Sequence, residues 1–193
     1  MKITITKKEV DEKILKIYNL PKETIVEIVG ESIAQQILGA VSPKSLEYWT
    51  ITDKASEKTS EILAKARSLF DVYVYDEKDI DAVFPAPKKD ITVSFKKSIE
   101  PDEEHRNKSY NDFMSEKDTS YMTMRQYLLL CIYVWETEKQ HLDVIGWTRT
   151  SSLWSDGRLV DGYWFGGLSG LRLDDGSVGN RNSDCGPRQQ FHF

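Results

Sequence analysis

The chain has 193 residues, 30% of them charged, and a formal net charge of −5. That length holds one large domain or two small ones with a real core. The acidic balance argues against nonspecific nucleic-acid binding, which draws on basic phosphate-neutralising patches, and leaves room for a basic protein partner.

Taken in order, Ile3–Thr6 is expected as a strand. Thr6 and Glu9 then fit a capping box at a helix start, with Val10, Ile14, Ile17 and Tyr18 at helical spacing and Pro21 as the stop. Thr24–Val29 alternates as a strand, and Ser32–Val41 is a weaker helix. Asp53–Phe70 is expected as a helix with an apolar stripe of Ile62, Leu63, Ala66, Leu69 and Phe70. Val72–Tyr75 and Ile91–Phe95 are strands, separated by an acidic strip and a loop enforced by Pro85 and Pro87. From Ser98 to Tyr121 the chain is polar, charged and without period, the composition of a linker or mobile loop. A helix follows, with Thr123 as its cap and Met124, Tyr127, Leu128, Cys131, Val134 and Trp135 on one face.

The longest apolar run, Tyr127–Trp135, is far shorter than the ~20 residues of a membrane span. MKITITKKEV lacks the apolar core of a signal peptide, and two cysteines make no disulfide framework. The expected setting is the cytosol of a bacterial host, with no membrane contact.

Chemistry changes near residue 140. Lys139 is the last lysine and Glu138 the last glutamate, while nine of the eleven glycines lie between Gly146 and Gly186. Lys and Glu favour helices; Gly, Asp and Asn favour turns. Asp156-Gly157 and Asp175-Gly176 mark turns between alternating segments. The expected class is α+β: a sandwich-like α/β domain over 1–97, a charged linker over 98–121, and over 122–193 a helix leading into a small Gly/Trp-rich antiparallel β-module.

Three segments of that module, GWTRTSS, GRLVDGYWFGG and NRNSDCGPRQQF, come in an order that resembles the last third of the C-type-lectin-like fold. The likeness is to the version in formylglycine-generating (sulfatase-modifying) proteins and phage tropism determinants. Gly186 and Arg188 match its closing element, with Asn180 and Arg181 upstream. Pro187 stands where that family has a buried aromatic, and Cys185 where it has an aliphatic residue. The paired catalytic cysteines and the calcium–sugar motifs are missing, so neither oxidase activity nor sugar binding is implied. The whole chain resembles small phage and mobile-element accessory proteins.

Cys131, on an apolar helix face, is expected as a core thiol. Cys185 lies near Arg181 and Arg188, cations that would favour thiolate, and is the candidate nucleophile of a cryptic enzyme. His105, His141 and His192 are scattered without HExxH or CxxC, so no metal and no cofactor is expected. The oxygen-rich run from Asp174 to Asp184 departs from calcium-loop spacing and is expected to cap turns. Candidate binding residues are the aromatics Trp154, Tyr163, Trp164 and Phe165 beside Arg172, Arg181 and Arg188, because consecutive aromatics on a strand expose at least one ring. Asp76, Glu77, Asp79 and Asp81 form an acidic strip that would imitate DNA phosphates in a nuclease groove. The function expected is non-enzymatic: a phage or mobile-element protein that inhibits a host protein, most concretely a basic defence nuclease in the anti-CRISPR manner. The alternatives are a ligand- or glycan-recognition module and the Cys185 enzyme.

Overall fold

The computed structural model describes residues 47–168 and 170–192. The chain splits into two compact units, Met1–Glu47 and Tyr48–Phe193, and the elements below belong to the second. The strands and helices expected before residue 42 lie outside the described residues.

The class is α+β. In chain order the elements are β1 (Tyr48–Asp53), α1 (Thr59–Arg67), β2 (Asp71–Val74), α2 (Ile80–Val83), β3 (Ile91–Lys96), α3 (Tyr110–Met114), α4 (Met124–Glu138), β4 (Trp147–Leu153), β5 (Leu159–Phe165), β6 (Gly170–Gly176) and β7 (Cys185–Gly186). Short 3-10 turns occupy Glu103–His105 and Gly166–Leu168. One sheet pairs β1 with β3; the other has the order β2-β6-β5-β4-β7. The larger sheet is mixed rather than antiparallel, because β2 joins β6 and β7 joins β4 in parallel.

The helix expected from Asp53 begins at Thr59. YWTITD before it is β-branched and aromatic, and it alternates buried Trp49, Ile51 and Asp53 with exposed or half-buried neighbours. It pairs Trp49 with Phe95 and Ile51 with Val93 across β3. Helix α1 starts where the Lys58 amide donates to the Glu61 carboxylate at 2.7 Å, and it buries Ile62, Leu63 and Ala66. Helix α4 has the expected Thr123 cap, reciprocated by Gln126, whose side-chain oxygen accepts from the Thr123 amide at 2.9 Å. It packs on α1, β1, β4 and β5, and so buries Arg125, Gln126, Leu130 and Ile132 beyond the expected stripe. Arg125 is matched there by Asp53 at 2.6 Å.

Residues 98–121, expected as a linker, are folded into this unit. Ser109 caps α3, Phe113 is fully buried, and buried Asp102 accepts from the Gln189 amide at 2.7 Å. Polar residues there serve as caps and loop anchors, which give a segment the composition of a linker without its freedom. The expected division at 98–121 is therefore replaced by one compact unit spanning it.

Gly162 sets how closely α4 approaches β5. A Cβ there would lie 2.2 Å from the Tyr127 ring, itself fully buried. Gly162→Ala is expected to cost about 3 kcal/mol in a denaturant melt. A loss below roughly 0.5 kcal/mol would show that Tyr127 moves aside freely.

Candidate functional site

The larger sheet has two unlike faces. Ladder partners share a face, and successive residues alternate. Val72, Leu171, Leu173 and Val160 turn toward the core that includes α4. The opposite face carries Tyr73, paired with Arg172, which is paired in turn with Tyr163. The pairing of Thr148 with Gly162 sets Trp147 next to Tyr163, and their rings stack at 4.3 Å and 5°. The Arg172 guanidinium lies 4.7 Å from the Tyr73 ring centroid and 5.5 Å from that of Phe165. Tyr73 and Phe165 are each 43% exposed and Trp147 is 36% exposed; Ile145 beside them reaches 81%. A recess of about 370 Å³ opens among Ile145, Trp147, Tyr163 and Phe165.

One ladder step away, the same face becomes polar and buried. Asp161 pairs with Asp174 and with Arg149. Its side chain is buried, and Oδ1 has no hydrogen-bond partner. Burial pushes its carboxyl up to about 7; the Arg149 charge opposes this, and Asp174 and Asp175 add to it. The segment after β6 lies over this region: Arg149 donates to the Asn180 carbonyl, and the Asn111 amide reaches the Val178 carbonyl. Arg181 holds Asp112 with two bonds of 2.7 and 2.8 Å. Together with Ser109 it draws the Asp112 carboxyl down to about 2.

The expected site residues therefore divide. Tyr163, Phe165 and Arg172 come together on the outer face. Trp164 points the other way, against Phe70 and His141. Trp154 is a core residue, 3% exposed, with its indole N–H donating to the Asp174 carbonyl. Arg188 is fully buried and donates to Asp143, Thr148 and the carbonyls of Ser98 and Ile99. Cys185 is buried, and burial raises its thiol pKa despite Arg149. The cations expected to activate it are engaged elsewhere, Arg181 by Asp112 and Arg188 by Asp143.

The acidic strip is largely used by its own chain. Asp76 accepts from Ser155, Glu77 grips Arg67 with two 2.6 Å bonds, and Asp81 accepts from the Ser60 amide and hydroxyl. Asp79 is exposed in the left-handed region at the start of α2. Among the described residues no group of three or more His, Cys, Asp or Glu could hold a metal ion, and no helix is long and apolar enough to cross a membrane. Tyr73, Trp147 and Ile145 were not expected at the site. Tyr73 alternates with Val72 and Val74, which marks an outward position, but only the strand pairing sets it beside Arg172.

Comparison with family models, curated proteins and solved structures finds no match for this chain.

Proposed function

We propose that this chain is a non-enzymatic protein of phage or mobile-element type that inhibits a host protein by direct contact, most concretely a basic defence nuclease. The observation that supports a contact surface is the row Trp147, Tyr163, Arg172 and Tyr73, exposed at its two ends and half-buried at Tyr163 and Arg172, with exposed Phe165 beside it. Aromatic rings and arginine dominate protein-binding hot spots, and a stacked row presents them with little rotamer freedom left to lose. The net charge of −5 suits a basic partner. Because Asp76, Glu77 and Asp81 are engaged internally, the contact is assigned to the aromatic face rather than to the acidic strip.

A tagged pull-down from nuclease-treated bacterial lysate is expected to yield one stoichiometric protein. Phe165→Ala and Arg172→Ala should each weaken that complex about thirtyfold, the size of a hot-spot loss. Asp79→Arg should leave it intact. The reverse pattern, alanine variants binding normally and Asp79→Arg failing, would return the contact to the acidic strip. A second reading is a ligand- or glycan-recognition module, favoured by the recess beside Trp147. It predicts a rise in melting temperature with a small ligand, lost in Trp147→Ala.

A further inference from the structure

The outer face of the larger sheet carries two charges of opposite sign that the chain leaves unpaired. Arg172 lies against the rings of Tyr73 and Phe165 and makes no side-chain hydrogen bond or ion pair among the described residues. Asp71 is exposed and likewise makes none. It pairs with Gly170, and a Cβ at Gly170 would lie 3.5 Å from the Asp71 carboxylate, which puts that carboxylate on the Arg172 side of the sheet. The same face holds a knob beside a hollow. Ile145, 81% exposed, forms the rim of the recess of about 370 Å³ that it shares with Trp147, Tyr163 and Phe165. Its backbone is held from behind, where the Glu100 carboxylate accepts from the amides of Ile145 and Gly146 at 3.1 and 2.6 Å. The knob therefore has little backbone freedom left to lose on binding.

We propose that this face closes on a second copy of the chain as a two-fold symmetric dimer. The proposal rests on reading the face as a contact surface, and it makes a second copy the competitor of any host partner there. A two-fold interface uses one patch twice, so the patch must complement itself. The strand register supplies that complement. Asp71, Gly170 and Phe165 stand on one level of the sheet, and Tyr73, Arg172, Tyr163 and Trp147 on the next, about 7 Å along the strands. A two-fold axis running across the strands between these levels lays the first level of each copy on the second level of the other. Arg172 then faces Gly170 of the second copy, where no side chain blocks it, with Asp71 of that copy one strand away, about 5 Å. Phe165 faces Tyr163. The recess spans both levels, so the Ile145 rim of each copy enters the recess of the other. One operation thus matches both unpaired charges and the knob, each of them twice.

The test is analytical ultracentrifugation of the full chain over roughly 1–300 μM, the range of a small transient interface. A monomer–dimer equilibrium is expected. Ile145→Ser, at a position exposed enough to leave the fold intact, should raise the dissociation constant about thirtyfold, because the knob is lost twice per dimer. Arg172→Glu and Asp71→Arg each set like charges against one another in two places, and each alone should weaken the dimer about tenfold. Mixed in equal amounts, the two charge variants should associate again, since every charge then faces its opposite on the other copy. That recovery separates a lost contact from a damaged fold. A single monomeric species at every concentration overturns the proposal. So does a dimer indifferent to Ile145→Ser and to both charge variants, or a mixture that fails to recover. The readouts need no host protein. A captured partner with a monomeric chain ends this inference alone, and a dimer with an empty pull-down ends the host-partner reading alone.

Discussion

Arg188→Met is expected to destabilise the unit Tyr48–Phe193 by about 3–5 kcal/mol, the range for removing one member of a buried ion pair. The guanidinium and its Asp143 partner are 1% and 0% exposed and 2.6 Å apart. Burial opposes the Arg188 charge, and the charge and hydrogen bond of Asp143 together with Asp102 and Tyr127 outweigh it, so the guanidinium stays protonated. Methionine fills the volume but leaves a carboxylate and two carbonyls, of Ser98 and Ile99, without their donors. Replacing Asp143 by asparagine in the same chain should recover part of the loss, because the stranded charge disappears while the carbonyls stay unpaired. A urea melt of the two variants measures both. An unchanged midpoint in Arg188→Met would put this arginine back among surface residues free to bind a partner.

Asp161→Asn is expected to stabilise the fold above pH 7 and to flatten its pH dependence. The Asp161 carboxyl rises from an ordinary 3.8 to about 7 in the folded chain. Between those values the folded state holds a proton that the unfolded state has released. Stability is therefore fully present below pH ~4 and is lost as pH rises to ~7. At one pKa unit per 1.36 kcal/mol, the ionised side chain costs roughly 2–4 kcal/mol at pH 8. Attraction to Arg149 is already contained in that shift. Asparagine keeps the shape without the charge, so the variant should hold at pH 8 the stability that the parent shows near pH 4. Thermal melts from pH 4 to 8 read this directly, and parallel curves for parent and variant would refute it.

Local signals in the sequence located elements well where the signal was itself local. Thr123 with Gln126 marks the start of α4, and the alternation in DVYV and ITVSF marks β2 and β3. The polar run Asp53–Ser60 reads as a helix entrance, although Asp53 ends YWTITD, which has the β-branched alternation of β1. The segment 98–121 misled for a different reason. Its Asp102, Ser109 and Asp112 are polar because they anchor backbone groups, and composition alone does not separate an anchored loop from a free one. The site depended on pairing between distant strands. Phe165 and Arg172 were visible as types, but Tyr73 reaches them only because β2 joins the far sheet. No local pattern tells a buried arginine such as Arg188 from an exposed one, because its partner Asp143 lies in a different segment.

The parallel pairing of β2 with β6 also bears on how the chain acquires its structure. Asp71 meets Gly170, and Ser94 meets Phe191, so segments made early wait for partners made late. At roughly 5–20 residues per second, β2 leaves the ribosome several seconds before β6. Until then Tyr73 and Val72 have no strand beside them, and loop closure over that separation slows the final docking. The last strand and the Arg188 segment therefore act as a timer on the whole unit: a nascent chain halted before Gly170 would present an unpaired β2 edge to chaperones instead of a finished sheet.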